Sequence, residues 1–402
     1  MNWRSRECWG GVLIRRAMEA KRYTIEEKLK VNPVGVASPR DFRVREEEEV
    51  DARRLLNSPN VSLYCLDFER RRALFVETPS GVDLNEAPFL YQAQYENAVG
   101  LIEISFETFH LLAEEVDVDP ACIIFIYSIA RCGSTLVSQA FGAVEGVESL
   151  SEPDVCTQML CEWGVDHLEG VEKANLVRSS ILFQCAPSRA KGATAFAIKF
   201  RSQIIEMGPL LHSLFPEAKV VFLYRKVEPW ARSMFRMMGR DDPELPISLE
   251  PLRNVFGKSF RGTVDKAFAT PLEILSLRRR ATMEQSLKMT RLGIPQFIIR
   301  YEELMSSPQE AFAEMFEFCD LTGRNIENMD SILKKDSQAG SLLSRDNPEA
   351  NTTRLTSEHM RKLHQLIAEI SSEKEIDRLI PGSFTPHDKF GANRGALQRP
   401  PI

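Results

Sequence analysis

Short apolar runs alternate with helical patterns through the second part of the chain. The four runs richest in apolar residues are Cys122–Tyr127, Ala195–Phe200, Ala218–Tyr224 and Pro295–Tyr301. Runs of this length without polar alternation are typical of strands buried on both faces of a parallel sheet. Segments with helical spacing lie around 134–143, 171–186, 229–239, 271–291 and 308–319. This alternation predicts an α/β domain in which helices flank a parallel sheet through right-handed crossovers.

A strand-like pattern precedes this domain. The runs Ser62–Phe68 and Ala73–Thr78, separated by a charged link, predict a β-hairpin. Phe89–Tyr95 and Gly100–Ser105 continue with partial alternation, and Phe106–Val116 has helical spacing. The interval to the first run of the α/β domain is too short for a flexible linker. We therefore expect this small β-rich module to pack on the α/β domain.

These patterns divide the chain into four parts. Residues 1–58 form a polar N-terminal segment, which includes a charge run and is expected to be solvated. Residues 59–118 form the β-rich module, and residues 119–380 form the α/β domain. Residues 381–402 are polar, contain Pro and Gly, and are expected to form a loose tail.

Composition and charge exclude several classes of protein. The 402 residues are 43% hydrophobic and 27% charged, which is close to the globular average and unlike a disordered, collagen-like or coiled-coil chain. A net charge of −6 gives no general attraction to nucleic acid, so no nucleic-acid partner is expected. The longest apolar stretches are far shorter than a membrane span. The eight cysteines and six histidines lack metal-ligand spacing, which favours a reduced cytoplasmic protein without a metal site.

One segment after the first buried strand has the composition of an anion-binding turn. Arg131, Cys132, Gly133, Ser134 and Thr135 follow the strand and precede an apolar helix face. Backbone N–H groups at such a helix start can bind an anion, and glycine permits close approach. The alternative is an ordinary strand–turn–helix with a helix cap. Cys132 is interpreted as a small buried side chain, although a thiol at this position can also be activated.

This loop is not the loop of nucleotide triphosphatases. That loop needs the pattern GxxxxGK[ST], in which a lysine follows the last glycine. Here the cation, Arg131, comes before Gly133.

Further charged and polar side chains lie where other predicted strands end. Lys199 interrupts an apolar run, Arg225 follows the third strand, and Ser233 lies one turn into the next helix. A guanidinium and a hydroxyl that converge in this way suit a phosphate dianion. The alternatives are a lysine that reaches solvent, a surface ion pair and a helix-surface serine. Glu152 lies in a loop before a proline, where the alternative is a solvated or capping carboxylate, and Asp154 is equal to it in type.

Together these segments resemble the sulfotransferases. The run Arg131–Leu136 is similar to their 5′-phosphosulfate loop, and Glu152 follows it at the interval at which carboxylate-using sulfotransferases carry their base. Lys199 is similar to the family's second-strand lysine, and Arg225 with Ser233 to its 3′-phosphate segment. The late segment that begins Ile298-Ile299-Arg300-Tyr301-Glu302 also matches. The resemblance covers roughly residues 120–345 and leaves residues 1–118 unexplained.

The resemblance implies an activity and a role for each residue. The fold would be that of the P-loop sulfotransferases, the co-substrate 3′-phosphoadenosine 5′-phosphosulfate, and the acceptor a hydroxyl or amine of a small molecule or carbohydrate, with no metal. Glu152 would be the base and Lys199, with Arg131, would stabilise the leaving phosphate. The loop residues 131–135, Arg225, Ser233 and Arg345 would bind the nucleotide.

The chain also departs from the cytosolic members of that family. It lacks their dimer motif KxxxTVxxxE, and no histidine follows Lys199, where Phe200 and Arg201 stand instead. The oligomeric state therefore stays open. Two other classes remain possible from the sequence, a P-loop kinase or nucleotidase and a non-catalytic nucleotide-binding protein of the same fold.

Overall fold

Two five-stranded sheets organise the part of the chain that the computed structural model describes, namely residues 19–32, 35–163, 170–249, 267–326, 329–334, 354–370 and 377–386. One sheet is antiparallel and lies towards the N-terminus. The other is parallel and is built from the later strands. Within the described residues no helix is both long enough and apolar enough to cross a bilayer.

The N-terminal sheet is antiparallel, with the strand order β2-β1-β5-β4-β3. Its strands are β1 (Glu19–Lys28), β2 (Phe42–Asp51), β3 (Val61–Asp67), β4 (Arg72–Glu77) and β5 (Gly100–Ser105). The helices around it are α1 (Arg54–Asn57), α2 (Leu90–Asn97) and α3 (Phe106–Ala113), with a 3₁₀ turn at Leu84–Glu86. The pairing of β3 with β4 confirms the predicted hairpin, and α3 confirms the predicted helix.

Two features of this region differ from the sequence interpretation. The polar segment before residue 59 contributes β1 and β2, because main-chain pairing of β1 with β5 needs no apolar side chains on the solvent face. The run Phe89–Tyr95, interpreted as strand-like, forms most of helix α2. Its buried residues Leu90, Tyr91, Ala93 and Gln94 share one helical face, which alternation over so short a run could not reveal.

The parallel sheet has the order β12-β9-β6-β8-β7. Its strands are β6 (Ile123–Ser128), β7 (Val147–Ser151), β8 (Ala195–Lys199), β9 (Lys219–Tyr224) and β12 (Phe297–Arg300). Between β9 and β12 in the chain, β10 (Ile247–Ser248) and β11 (Phe268–Ala269) form a separate antiparallel pair. Four of these strands were predicted. The edge strand β7 was missed because its sequence, VESLS, is short and polar. The chain leaves the central strand β6 towards neighbours on both sides, which creates a crevice at the strands' carboxyl ends.

Helices connect and flank these strands. They are α4 (Ser134–Gly142), α5 (Val155–Trp163), α6 (Val171–Ala190), α7 (Gly208–Leu214), α8 (Val227–Met237), α9 (Pro271–Arg291), α10 (Tyr301–Ser306), α11 (Pro308–Phe318), α12 (Met329–Lys334) and α13 (Ser357–Ile370). Two further 3₁₀ turns are Pro120–Cys122 and Ser202–Met207. Five of the helices match the predicted segments. The predicted fold class, a parallel sheet flanked by helices with an N-terminal β-rich part, is confirmed.

The two sheets share one apolar core. The ring of Phe109 on α3 stacks on Phe183 of α6, with centroids 4.9 Å apart, and Phe75 of β4 meets the same Phe183 ring at 5.2 Å. The side chain of Gln158 on α5 also exchanges two hydrogen bonds with the backbone of Leu66 in β3, at 2.8 and 2.6 Å. The predicted packing of the module on the α/β domain is thereby confirmed.

The C-terminal part of the described chain lies beside β12. Ser383 forms a parallel bridge with Ile298, and the Phe384 N–H donates to the Ile298 carbonyl at 2.8 Å. The side chain of Phe384 is buried there. The beginning of the segment predicted as a loose tail is thus attached to the sheet edge.

Candidate active site

The predicted site residues gather at one edge of the parallel sheet. Lys199 is the last residue of β8 and lies in register with Ile126 of β6 and Ser151 of β7. Glu152 directly follows β7, and Arg225 directly follows β9. Because parallel strands end at the same side, all these groups flank the loop after β6. Arg345 lies outside the described residues.

The loop after β6 has an unusual backbone. Ala130 and Arg131 adopt left-handed conformations, with φ of 59° and 49°, and Gly133 follows with φ of 85°. Such conformations cost residues with a β-carbon roughly 1–2 kcal/mol each and are concentrated at functional sites. Left-handed residues in a turn are also typical of concave clusters of backbone N–H groups that bind anions. Helix α4 begins directly afterwards at Ser134.

Glycine is required at position 133 by a close neighbour. A β-carbon on Gly133 would lie 2.6 Å from Cδ2 and 2.8 Å from Cε2 of the Tyr301 ring. Tyr301 begins α10 directly after β12. The loop is therefore closed on one side by an aromatic ring, a partner that the sequence analysis did not identify because the contact joins distant segments.

Hydrogen bonds join the loop to α8. Arg131 donates from Nε to the Ser233 hydroxyl at 2.9 Å, and Arg225 donates from Nη1 to the Arg131 carbonyl at 3.2 Å. The indole N–H of Trp230 donates to the Ile129 carbonyl at 3.1 Å. Arg131 therefore connects Ser233 and Arg225, the two residues whose spacing led to the prediction of a phosphate site.

Arg225 retains donor capacity in this arrangement. Its guanidinium lies 4.6 Å from the centroid of the Tyr301 ring, and its Nε is buried with no hydrogen-bond partner among the described residues. The nearest carboxylate oxygen, on Glu302, is 3.8 Å from that Nε. A buried guanidinium N–H that is unsatisfied fits an oxygen of an anionic ligand.

The remaining loop residues are buried at the start of α4. The Cys132 thiol contacts the Leu223 carbonyl at 3.4 Å, and burial raises its pKa to about 11. A thiol with so high a pKa is protonated at neutral pH, which fits the interpretation of Cys132 as a buried packing residue. Ser134 and Thr135 occupy the first turn of α4, where a helix provides N–H groups and a favourable dipole for an anion.

Lys199 and Glu152 form an ion pair at the end of β8. The Lys199 Nζ lies 2.5 Å from Glu152 Oε1 and 3.4 Å from the Ser151 hydroxyl. The Lys199 side chain is 3% exposed and the Glu152 side chain 18%, so the carboxylate is the more accessible group. The Glu152 backbone is left-handed, with φ of 60°, and its N–H donates to the Lys199 carbonyl at 2.6 Å. The two residues proposed for catalysis thus touch.

Asp154, the other carboxylate of this segment, is enclosed by protein. Its side chain has no exposed surface, and Oδ1 lies 2.8 Å from Nε of Arg201. Its Oδ2 accepts the backbone N–H of Ala37 at 2.8 Å. Burial raises the pKa of Asp154, against the opposing charges of Arg201 and Lys30. A carboxylate so enclosed is a structural anchor and does not reach an acceptor.

Aromatic residues of the N-terminal part complete the surroundings of the ion pair. The Phe89 ring centroid lies 5.2 Å from Lys199 Nζ, and the Tyr91 ring centroid lies 4.0 Å from the guanidinium carbon of Arg201. The Ser151 hydroxyl donates to the Pro88 carbonyl at 2.6 Å. Sequence reasoning missed these residues, since nothing local marks a contact between the start of α2 and β8.

Residues 124–324, half of the chain, match a family model described as "Sulfotransferase family". Every predicted site residue within the described chain lies in the matched region. The chain therefore belongs to the sulfotransferase family, as its resemblance in sequence predicted.

Several solved structures share similarity with this chain. The sulfotransferase domain from the curacin biosynthetic pathway has 15% identity over 62% of this chain and 98% of its own length, with a TM-score of 0.37. A sulfotransferase from Alicyclobacillus acidocaldarius has 14% identity over 61% and 91%, with a TM-score of 0.38. Mouse sulfotransferase SULT7A1, complexed with PAP, has 14% identity over 64% and 88%, with a TM-score of 0.36. No curated protein matches the chain.

Proposed function

We propose that this protein transfers a sulfuryl group from 3′-phosphoadenosine 5′-phosphosulfate to a hydroxyl or amine of a small-molecule or carbohydrate acceptor. Membership of the sulfotransferase family gives the class of reaction. The observation that carries the proposal is the contact of Lys199 with Glu152 at 2.5 Å, at the sheet edge that also presents Arg131 and Arg225. A cation for the leaving group and a carboxylate base then lie side by side.

The residues present fit the polyanionic nucleotide. The left-handed turn at Ala130 and Arg131 leads into the start of α4, where backbone N–H groups favour a phosphate. Arg225 has a buried N–H without a partner among the described residues, and Ser233 adds a hydroxyl. We assign the loop residues 131–135 to the 5′-phosphosulfate, and Arg225 with Ser233 to the 3′-phosphate.

Glu152 and Lys199 would divide the work of the transfer between them. Glu152 accepts the proton of the acceptor hydroxyl as the acceptor oxygen forms its bond to sulfur, a role that typically contributes ~10²–10⁴-fold. The bond from sulfur to the bridging oxygen breaks, and its electron pair remains on the 5′-phosphate. Lys199, with Arg131, stabilises that charge. Positioning supplies the rest, as in phosphoryl transfer.

A second reading of the site is a kinase or nucleotidase. Such an enzyme needs a lysine after the last glycine of the loop and carboxylates for Mg²⁺. The loop has Ser134 after Gly133 instead. Among the described residues no group of three or more His, Cys, Asp or Glu side chains is arranged to hold a metal ion. Family membership and loop sequence therefore favour sulfuryl transfer.

Radiolabelled donor tests the proposal directly. The chain is incubated with ³⁵S-labelled 3′-phosphoadenosine 5′-phosphosulfate and pooled acceptor fractions, with EDTA or Mg²⁺, and labelled products are identified. We expect a labelled product that needs the chain and is insensitive to EDTA. Binding of the desulfated nucleotide without any labelled product would indicate a non-catalytic protein. Mg²⁺-dependent transfer of ³²P from γ-labelled ATP would indicate a kinase.

We further propose a cytoplasmic location for the protein. None of the seven cysteines in the described part of the chain forms a disulfide, which agrees with a reducing compartment. Fractionation of cells that express the tagged chain would test this.

A further inference from the structure

Arg201 lies between the proposed base and a buried carboxylate, and it is not part of the pattern that defines the loop. We infer that Arg201 is a positioning residue that fixes the orientation of Glu152 for the transfer, and that the N-terminal segment holds Arg201 in place through Asp154. This inference rests on the proposed function. It gives Ala37 and Tyr91, which precede the region matched by the family model, a role in holding Arg201.

The two oxygens of Glu152 face different cations. Lys199 Nζ is 2.5 Å from Oε1, whereas Arg201 Nε is 4.0 Å from Oε2. A carboxylate placed between two fixed cations has a restricted rotation about its last side-chain bond. The oxygen that faces Arg201 is the one without a contact to Lys199, so it is the oxygen available to an acceptor hydroxyl.

Arg201 is itself held on the side away from Glu152. Its Nη2 donates to Asp154 Oδ2 at 3.1 Å, and its Nε lies 2.8 Å from Asp154 Oδ1. The Tyr91 ring lies against the guanidinium at 4.0 Å. The side chain is only 10% exposed, so water competes little for these contacts. Arg201 is therefore held by its salt bridge to Asp154 and by the ring of Tyr91.

The anchor of this arrangement lies in the N-terminal segment. The backbone N–H of Ala37, in the connection between β1 and β2, donates to Asp154 at 2.8 Å. The ammonium of Lys30 lies 3.6 Å from Asp41 and 5.9 Å from the Tyr91 ring centroid. Burial lowers the pKa of Lys30, although Asp41 and Asp154 oppose this effect. Segments that are far from Glu152 in sequence thus hold Asp154 and Arg201 beside it.

Stability alone is a weak explanation for these buried charges. Desolvation of a buried ion pair often cancels its attraction, and apolar residues of similar size frequently stabilise a fold as well or better. A planar, permanently charged guanidinium is suited to hold a carboxylate in one orientation. Misplacement of a reacting group by about 1 Å can cost ~10²-fold in rate. Orientation of Glu152 is therefore the effect that this cluster can supply.

Three variants separate positioning from folding. Arg201→Gln removes the cation, Arg201→Lys keeps the charge, and the pair Arg201→Gln with Asp154→Asn removes both charges so that no carboxylate is left buried alone. The probe reaction is transfer to water, measured as ³⁵S-sulfate released from the labelled donor, together with transfer to the pooled acceptors. Calorimetry with adenosine 3′,5′-bisphosphate measures nucleotide binding, and thermal melting measures folding.

We expect all three variants to bind the bisphosphate within about threefold of the unchanged chain. Arg201→Gln should reduce turnover about 10- to 100-fold, and Arg201→Lys should restore part of it. The double variant should have a higher melting temperature than Arg201→Gln, and its turnover should stay as low as that of Arg201→Gln.

Arg70→Gln provides the matched control. Arg70 pairs with the buried Glu103 through two contacts, at 2.7 and 3.1 Å, but it lies in the turn between β3 and β4, outside the proposed site. This variant should lose stability and keep its turnover.

Two results would overturn the inference. One is a double variant that regains both melting temperature and turnover, since Arg201 would then serve the fold alone. The other is a folded Arg201→Gln variant whose turnover is unchanged. An unchanged chain that neither binds the bisphosphate nor releases sulfate would instead contradict the proposed function.

Discussion

Tyr301 places the edge of its ring where a side chain on Gly133 would have to stand. The distance from a built β-carbon to Tyr301 Cδ2 is 2.6 Å, and the φ of Gly133 is 85°. Two constraints therefore meet at one residue, a backbone conformation and a steric contact. The contact also links the end of β12 to the anion-binding loop.

Gly133→Ala is expected to weaken nucleotide binding by tenfold or more, because the Tyr301 ring or the loop must move. The left-handed backbone alone costs about 1–2 kcal/mol for alanine. Gly81→Ala is the matched control, since Gly81 has a φ of 92° and no atom within 4 Å of a built β-carbon. Calorimetry with adenosine 3′,5′-bisphosphate and thermal melting distinguish the two. Equal effects of both variants on melting, with no change in affinity, would contradict the steric role.

Arg131→Ala and Arg225→Ala are each expected to reduce affinity for the same nucleotide. Loss of a charge-assisted contact to phosphate costs ~1.5–3 kcal/mol, which is roughly 10–150-fold. Arg232→Ala is the control, because Arg232 lies on the same helix as Ser233 and pairs with Glu228 at the surface. If both site variants bind normally while folded, the assignment of the donor site is wrong.

Glu152→Gln should lower turnover by ~10²-fold or more and leave nucleotide affinity nearly unchanged. Glutamine keeps the size and most hydrogen bonding of the side chain and removes its basicity. Steady-state rates with an identified acceptor, or sulfate release to water, measure the effect. Near-normal turnover would place the base elsewhere, and loss of nucleotide binding would make Glu152 an anchor of the site.

The stability of the protein should fall on acidification through the titration of His110. Its Nδ1 lies 2.8 Å from the Ser179 hydroxyl, and burial lowers its pKa below the ordinary value of 6.5, against the charge of Glu172. The unfolded chain therefore binds this proton at a higher pH than the folded protein does. Stability is lost as the pH falls below about 6.5 and the loss ends below the folded pKa.

Denaturant unfolding at several pH values between about 5 and 8 checks this dependence. His110→Gln retains a hydrogen-bonding side chain and should be less sensitive over that range than the unchanged chain. The comparison of the two isolates His110, since carboxylates contribute equally to both. If the free energy of unfolding depends on pH in the same way for both chains, His110 does not have a different pKa in the folded state.

Phe183→Ala should destabilise both sheets together by ~3–5 kcal/mol, because the ring fills the junction of Phe75 and Phe109. Unfolding followed by fluorescence and by circular dichroism should show one shared transition. Phe268→Ala, at a ring that is 60% exposed, should change stability little. Limited proteolysis that releases a stable fragment ending near residue 118 would show instead that the module folds alone.

Four strands of the parallel sheet were predictable because a strand that is buried on both faces has a continuous run of apolar residues in its sequence. Ile123–Ser128 and Lys219–Tyr224 have this character. Val147–Ser151 does not, because its polar residues are tolerated on an edge strand that makes one set of backbone hydrogen bonds. Lys199 and Arg225 were predictable for the complementary reason, since a charge at the end of an apolar run is stable only beside polar or oppositely charged groups.

The surroundings of those residues could not be predicted. Tyr91 reaches Arg201, and Ala37 reaches Asp154, across long intervals of sequence. Such contacts depend on how the antiparallel sheet is placed on the α/β domain, which no local pattern records. The sequence analysis grouped Ser233 with Arg225 by their spacing, but it did not predict the hydrogen bond between Arg131 and Ser233.

Among the described residues β2 is an outer strand of the antiparallel sheet, and its second half carries Glu46, Glu47, Glu48 and Glu49 in succession. An edge strand offers unpaired backbone groups to any other chain, and this is a common route to aggregation. Another strand that approached β2 would bring its own side chains against a row of carboxylates. A second copy of the same edge would be repelled most strongly, because it carries the same charges. The acidic run is thus expected to disfavour pairing of β2 with a second copy of itself.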